Sequence, residues 1–219
     1  MLKMDSHIHS EYSPDSSSKI DDILKVAKKE NIDVIAISDH NTVAGTSEVL
    51  KKTRNTDILA IPSIEISSSE GHILGFGCEE NIPRDLTPND TIDRIHDLGG
   101  LAIIPHPYCF YRHGLLHNID HENLKIDAIE TKNARFIVGY CNNKAKKLSK
   151  NENIPELGAS DAHYYKFVGD CYSLIDCEKD IDSIFKAIKK GNTQAQGKGT
   201  SNILLSKYLF EKKVLKKFD

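Results

Sequence analysis

Short, mainly apolar runs alternate along this chain with segments of helical periodicity. Residues 33–38 and 101–104 are runs typical of parallel strands that are buried on both faces. Apolar side chains at Ile20, Ile23 and Ala27 give the segment between them one apolar helical face. Six or seven such strand–helix pairs predict an α/β fold in which parallel strands close, or nearly close, into a barrel.

Further strands, turns and helices are predicted in the rest of the chain. Residues 58–67 are predicted as a third strand, a turn follows it, and residues 72–77 return as a neighbouring strand. The Gly-rich and polar stretch 192–201 is predicted to be a loop, and residues 202–218 a final amphipathic helix. No linker divides the chain, so residues 1–219 are predicted to form a single domain that ends in the loop and helix at 192–219.

The length and composition narrow the class of protein. A chain of 219 residues matches one barrel-sized domain. The net charge of −3, with both signs spread along the chain, argues against a protein built mainly to coat nucleic acid. Five cysteines without a C-x-x-C pair indicate reduced thiols, and no apolar run reaches 18 residues. We therefore expect a cytoplasmic protein with no membrane partner.

Nearly every predicted strand ends in a histidine or a carboxylate. In a barrel, the carboxyl ends of the strands meet at one mouth. Buried imidazoles and carboxylates at such a mouth are costly unless they are paired or bind metal. The sequence therefore predicts a metal site there, built from residues at the ends of different strands. These residues are His7 and His9, His40, Glu65, His72, His106, and Asp161 with His163.

The motifs that carry these residues also match a known family pattern. The set His7-x-His9, Ser-Asp39-His40-Asn, Glu65, Gly-His72, Pro-His106-Pro and Gly-Ala-Ser-Asp161-Ala-His163 resembles the PHP family, named for its polymerase and histidinol phosphatase members. The resemblance extends from residue 1 to about residue 200. It implies a distorted seven-stranded (β/α)7 TIM-like barrel with a metal site, usually of three ions.

The resemblance also implies how the metals are shared. The first ion would be held by His7, His9, Glu65 and Asp161. The second would share Glu65 as a bridge and add His72 and His106. The third would take Asp15, His40 and His163. Catalytic roles are expected for Glu65, Asp161 and His163.

This arrangement suits hydrolysis at phosphorus. Two cations about 3.5–4 Å apart can hold a hydroxide at neutral pH and clamp the oxygens of an in-line displacement. Mixed imidazole and carboxylate ligands suit two or three ions of Zn, Mn or Fe. A ligating imidazole needs a partner for its other ring nitrogen. Asp5, on the same predicted strand face as His7 and His9, and Asp39 are the expected partners.

Two loops near the predicted mouth supply candidate substrate contacts. Arginine forks match phosphate oxygens. Arg112 follows the Pro-His106-Pro turn, and Arg135 follows the strand that ends near residue 131. We expect both arginines to hold a phosphate. The neighbouring side chains His113 and Asn133 are expected to contact the substrate as well.

The function expected from these residues is hydrolysis of a phosphate monoester, with a nucleotide or another small phosphorylated metabolite as substrate. The nearest alternative is an exonuclease or nucleoside bisphosphate phosphatase that acts on the ends of short oligonucleotides. A third possibility is an amidohydrolase-like enzyme, since a hydroxide between two metals can also attack a carbonyl carbon. A non-catalytic metal-binding regulatory module is the alternative from another class.

Overall fold

The computed structural model describes residues 1–135, 139–201 and 206. Ten strands and six α-helices follow one another in these residues, together with two short 3₁₀ turns. The strands are β1 (Leu2–Ile8), β2 (Val34–Ile37), β3 (Leu59–Ile61), β4 (Ser63–Ser67), β5 (His72–Phe76), β6 (Leu101–Ile104), β7 (Ala128–Asn133), β8 (Glu156–Ala159), β9 (Cys171–Ile175) and β10 (Thr193–Gly197). The helices are α1 (Ile20–Lys29), α2 (Ala44–Thr53), α3 (Pro88–Asp97), α4 (Leu115–Asn118), α5 (Tyr140–Glu152) and α6 (Ile181–Lys189).

The strands form two mixed sheets of five strands each. Sheet A has the order β10-β9-β1-β2-β3, and sheet B has the order β4-β5-β6-β7-β8. The β1–β2, β2–β3, β6–β7 and β7–β8 pairs are parallel, and the other four pairs are antiparallel. The prediction of a distorted seven-stranded (β/α)7 TIM-like barrel is therefore wrong, because no barrel closes within the part of the chain described above.

Pro62 explains one of the two breaks between the sheets. We predicted a single strand over 58–67, but β3 ends at Ile61 in sheet A and β4 begins at Ser63 in sheet B. Proline has no backbone N–H to continue the ladder, so strands seldom run through it. Beyond this break, an isolated parallel bridge between His40 and Glu65 brings the end of β2 next to β4.

The antiparallel strands β9 and β10 explain the other break. Strand β9 pairs with residues 2–4 of β1 and so occupies the edge that β8 would need to close a barrel. An isolated parallel bridge from Ile8 to Ala162 joins the end of β1 to the chain after β8. The predicted loop at 192–201 is also wrong in part, because β10 lies within it and pairs with β9. The predicted helix over 202–218 lies, except for Ser206, outside the described residues.

The main core contains side chains from both sheets. Met4 and Val34 of sheet A share one buried cluster with Leu74 and Ile103 of sheet B, and α6 contributes Ile184 to it. Helices α1 and α2 pack on the outer face of sheet A, and α3 packs on that of sheet B. None of the described helices is long and apolar enough to cross a bilayer.

Candidate metal centre

The candidate site lies where the ends of strands from both sheets meet. His7 lies in β1, Glu65 in β4, and His72 opens β5. The other predicted ligands lie in the segments that follow β1, β2, β6 and β8. These residues are His9 and Asp15 after β1, His40 after β2, His106 after β6, and Asp161 and His163 after β8.

One oxygen of Glu65 faces three imidazoles. Glu65 Oε2 lies 3.2 Å from Nε2 of His7, 3.2 Å from Nε2 of His9 and 3.2 Å from Nδ1 of His40. The Nε2 atoms of His7 and His9 are themselves 2.9 Å apart. Glu65 is buried, with 1% of its surface exposed. A single buried carboxylate oxygen therefore lies among three ring nitrogens from two neighbouring chain segments.

The other oxygen of Glu65 faces the opposite part of the site. Glu65 Oε1 lies 2.9 Å from His72 Nδ1 and 3.2 Å from His106 Nε2. Although His72 Nδ1 is this close, it lacks the angles of a hydrogen bond. Two ligands of one cation approach each other in this way without forming a donor–acceptor pair. Glu65 therefore offers one oxygen to each of two groups of imidazoles.

A third group of donors lies around Asp15 and His163. Asp15 Oδ2 is 2.7 Å from His163 Nε2 and 3.6 Å from His40 Nε2. His40 therefore contributes one nitrogen toward Glu65 and the other toward Asp15. His9 also belongs to the group of donor atoms around Asp15 and His163. The structure thus brings all nine predicted ligands into one continuous cluster.

The donor spacing fits divalent cations. Two ligands that bind one ion at 2.0–2.1 Å lie about 3.0 Å apart at a right angle and about 3.4 Å apart at a tetrahedral angle. The separations of His7 Nε2 and His9 Nε2 (2.9 Å) and of each from Glu65 (3.2 Å) agree with these values.

Burial alone would raise the pKa of Glu65, but His72, His40 and His7 hold it well below its ordinary value. Glu65 is therefore a charged carboxylate at neutral pH.

Asp161 is the other buried carboxylate at the centre. Its Oδ1 lies 3.8 Å from His7 Nε2 and 3.6 Å from His9 Nε2. Burial would raise the pKa of Asp161, but Arg112, His7 and Arg135 outweigh this effect and hold it well below its ordinary value. Asp161 has a positive φ of 51°, a conformation uncommon for residues other than glycine. Such strain is typical of functional sites.

Both predicted phosphate-binding arginines point into the site. Arg112 Nη2 lies 2.6 Å from Asp161 Oδ2, and Arg135 Nη1 lies 2.7 Å from His163 Nδ1. The buried Nη1 of Arg112 has no hydrogen-bond partner among the described residues. An unpaired buried donor is costly, so this atom indicates a place for an anionic oxygen.

Comparisons with known proteins agree with this geometry. The family model of the PHP domain matches residues 5–169. The chain therefore belongs to the PHP domain family, whose members include metal-dependent phosphoesterases. The expected family membership is thus confirmed.

Three relatives show how far the likeness extends. An uncharacterised protein of Methanocaldococcus jannaschii is 39% identical over 166 residues, which are 71% of this chain and 94% of that protein. A phosphoribosyl 1,2-cyclic phosphate 1,2-diphosphodiesterase of Eggerthella lenta is 29% identical over 85 residues, 36% of this chain and 32% of that one. A two-domain protein of Bacteroides vulgatus, described as containing a predicted PHP-like metal-dependent phosphoesterase, superposes with a TM-score of 0.72 at 18% identity. The match covers 90% of this chain and 65% of that chain, and at this identity it shows the fold alone.

Asp5 and Asp39 occupy places in this PHP domain that differ from those expected. The pairing of β1 with β2 shifts register between Asp5 and Ile8, which disturbs the alternation that predicted one shared face. Asp5 accepts backbone N–H groups from Ser160 (3.0 Å) and Gly169 (2.8 Å). Asp39 accepts both the N–H and the hydroxyl of Ser10, each at 2.6 Å. These bonds hold loops of the site and are not made to imidazoles.

Two other residues take the place of the expected imidazole partners. Glu130 Oε1 lies 2.9 Å from His7 Nδ1, and Ser13 Oγ lies 3.2 Å from His9 Nδ1. Ser13 Oγ also donates to Asp15 Oδ1 at 3.1 Å. Glu130 is recognisable in the sequence as an acidic side chain near the end of a predicted strand that leads to the site, in the place of an ion-pair partner. Ser13 lies in a polar loop, and no feature of the sequence singles it out.

Asn133 and His113 lie beside the site in ways that the sequence did not specify. Asn133 Nδ2 donates to Glu130 Oε2 at 2.9 Å and to Asp161 Oδ2 at 3.0 Å. The ring of His113 lies 5.2 Å from that of His72, and its carbonyl oxygen accepts the His72 backbone N–H at 2.9 Å. Gly71 permits this approach, because a Cβ there would lie 2.7 Å from the same carbonyl oxygen. A substrate contact by either side chain remains a prediction.

Proposed function

We propose that this PHP domain hydrolyses a phosphate monoester with the help of two or three divalent cations. The observation that carries the proposal is the position of Glu65, whose two oxygens lie 2.9–3.2 Å from five imidazoles. The proposed ligand set is that of the sequence analysis, with Glu65 as the bridge between neighbouring ions. Zn, Mn and Fe all suit these ligands.

Each side chain of the site has a separate proposed role in catalysis. Bound divalent cations lower the pKa of water and polarise phosphoryl oxygens. Arg112 would bind a substrate oxygen through its unpaired Nη1, while its Nη2 stays near Asp161. Arg135, beside His163, would bind a second oxygen and so orient the phosphate. Asn133 would hold Asp161 in place through the bond from its side-chain amide. Glu65, Asp161 and His163 are the side chains proposed to act at the reacting group.

Exposed aromatic rings beside Arg112 favour a nucleotide among the candidate substrates. Phe110 and Tyr111 directly precede Arg112 and are 75% and 62% exposed. Tyr140, at the start of α5, is 70% exposed, and the thiol of the next residue, Cys141, donates to the Tyr108 carbonyl oxygen at 3.5 Å. This contact brings the start of α5 to the loop that carries Arg112. Rings of this kind can stack on a base, whereas a sugar phosphate offers no flat face.

A substrate panel tests the proposal and separates it from its alternatives. The protein is supplied with Mn, Zn or Fe and offered nucleoside monophosphates, sugar phosphates, phosphodiesters including a dinucleotide, amides and lactones. Release of phosphate from the monoesters, fastest from nucleotides, is the expected result. Preferred cleavage of the dinucleotide would favour the exonuclease alternative. The similarity with the Eggerthella lenta diphosphodiesterase supports the inclusion of diesters in the panel. Turnover of amides or lactones alone would favour an amidohydrolase, and no turnover with metal bound would favour a regulatory module.

A further inference from the structure

Glu130 is a buried carboxylate that lies behind the proposed metal ligands. It lies in β7 and is 0% exposed. Its Oε1 lies 2.9 Å from His7 Nδ1, and its Oε2 accepts the backbone N–H of His106 at 2.9 Å and the side-chain N–H of Asn133 at 2.9 Å. The partners come from three segments of the chain: β1, the turn after β6, and the end of β7. One carboxylate therefore joins three separate parts of the site wall.

The bond to His7 determines which ring nitrogen can bind a cation. A carboxylate only accepts hydrogen bonds, so Nδ1 of His7 must carry the proton. The lone pair of a neutral ring then lies on Nε2, the atom that is 2.9 Å from His9 Nε2 and 3.2 Å from Glu65 Oε2. A carboxylate in this position also orients the ring and raises its basicity as a ligand.

The bonds of Oε2 act on two further ligands. His106 has a φ of 32°, a positive value that is uncommon for a residue other than glycine. A conformation of this kind persists only where the surroundings hold it, and the bond from the His106 N–H to Glu130 is one such restraint. Asn133 transmits the second restraint, because the side-chain amide bound to Glu130 also donates to Asp161 Oδ2 at 3.0 Å.

We propose that Glu130 is a positioning residue that sets the ring nitrogen and orientation of His7 and the places of His106 and Asp161 for cation binding. This proposal rests on the metal site of the proposed function. Glu130 itself is fully buried behind the ligands, so it would act through them.

The substitution E130Q separates this role from that of a side chain that only fills space. Glutamine has nearly the same shape, but it offers one acceptor oxygen and one N–H₂ donor. If the glutamine oxygen accepts from His7 Nδ1, the glutamine N–H₂ group faces two other donors, His106 N and Asn133 Nδ2, and can bond to neither. If it turns over, its N–H₂ group meets His7 Nδ1, and the proton of His7 must move to Nε2, which can then no longer bind a cation. Either orientation weakens metal binding.

The experiment measures zinc affinity by competition with a chromophoric chelator, and the environment of the metal by the visible absorption spectrum of the Co(II)-loaded protein. E130Q is compared with the wild type and with the matched control E156Q. Glu156 lies at the start of β8, where its carboxylate accepts from Thr131 Oγ1 at 2.9 Å, away from the ligands. We expect zinc binding by E130Q to weaken 10- to 100-fold at one or more sites and its Co(II) spectrum to change, with E156Q unchanged.

Folding is monitored by circular dichroism and thermal unfolding of the metal-free proteins. Because E130D keeps both acceptor oxygens but withdraws the carboxylate by one methylene, its zinc affinity should lie between those of the wild type and E130Q. Affinity of folded E130Q within threefold of E156Q would overturn the proposal. If E130Q does not fold, affinity of E130D within threefold of the wild type would overturn it. A wild-type protein that binds no zinc would instead refute the proposed function.

Discussion

Arg112 Nη2 lies 2.6 Å from Asp161 Oδ2, and the two side chains are 11% and 0% exposed. The largely buried guanidinium of Arg112 and the buried carboxylate of Asp161 partly neutralise each other, yet Nη1 of the same guanidinium has no partner among the described residues. Arginine presents its donors in a rigid fork, so one arm can hold Asp161 while the other meets a second oxygen. This geometry distinguishes Arg112 from an ordinary surface arginine.

The substitution Arg112→Ala tests whether this arm binds substrate phosphate. We expect kcat/KM to fall roughly 10- to 150-fold, because a hydrogen bond to a charged group is worth about 1.5–3 kcal/mol. The bound metal content should stay unchanged. Arg54→Ala, which removes an exposed arginine at the end of α2, serves as the matched control. Steady-state kinetics together with metal analysis make the comparison, and kinetics of Arg112→Ala equal to those of the control would refute the contact.

The sequence predicted the positions of the candidate ligands better than it predicted the sheets. Residues such as His7 and His106 could be found because each lies at or just beyond an apolar strand. The closing of a barrel depends on pairing between strands that are distant in sequence. Here Pro62 separates β3 from β4, and β9 pairs with β1, so no barrel closes among the described residues. The partner of His7 is 123 residues away in sequence, at Glu130, so local periodicity could not reveal their contact.

Metal removal should change stability as well as activity. The cluster places ring nitrogens as close as 2.9 Å to each other around buried carboxylates, so a cation that fits there favours the folded state. At a thousandfold excess over Kd, one bound ion adds about 4 kcal/mol. For a chain of this size, that corresponds to a rise in Tm of about 10 °C. The comparison is between chelator-treated protein and the same protein after addition of Mn or Zn.

Calcium provides the control for this measurement. Because Ca²⁺ prefers six to eight oxygen ligands, an imidazole-rich site should bind it poorly and its effect on Tm should be small. If Zn and Mn leave the Tm unchanged, or if Ca²⁺ raises the Tm as much as they do, specific binding by this cluster would be contradicted. Activity lost on chelation should return with Mn or Zn.

Asp15 is a proposed ligand of the third cation. Its carboxylate is 46% exposed, yet its Oδ2 lies 2.7 Å from His163 Nε2. Burial would raise the pKa of Asp15, but the nearby imidazoles of His163 and His40 outweigh this effect and lower it, so the carboxylate is charged at neutral pH. We expect Asp15→Ala to bind one cation fewer per chain than the wild type after dialysis, with the ions around Glu65 retained. Elemental analysis gives the count, and Asp93→Ala, an exposed position on α3, is the control. An unchanged count in Asp15→Ala would remove Asp15 from the ligand set.

The buried carboxylate of Asp5 should make the folded protein less stable as the pH rises. Burial raises the pKa of Asp5 from 3.8 to about 6, although the bonds from Ser160 and Gly169 partly oppose the rise. Between these two values, the folded state holds more protons than the unfolded state. The free energy of unfolding therefore falls as pH rises from about 4 to 6, and Asp5 costs up to about 3 kcal/mol of stability at pH 7.

The variant Asp5→Asn isolates this effect, because asparagine does not titrate. We expect the free energy of unfolding of Asp5→Asn minus that of the wild type to rise by up to about 3 kcal/mol between pH 4 and pH 7. Urea unfolding of the two metal-free proteins at a series of pH values gives this difference, and all other groups cancel to first order. A difference that falls with pH would mean that the bonds from Ser160 and Gly169 outweigh burial. Asp5 would then hold the loop before Asp161 as a stabilised carboxylate and not as a costly one.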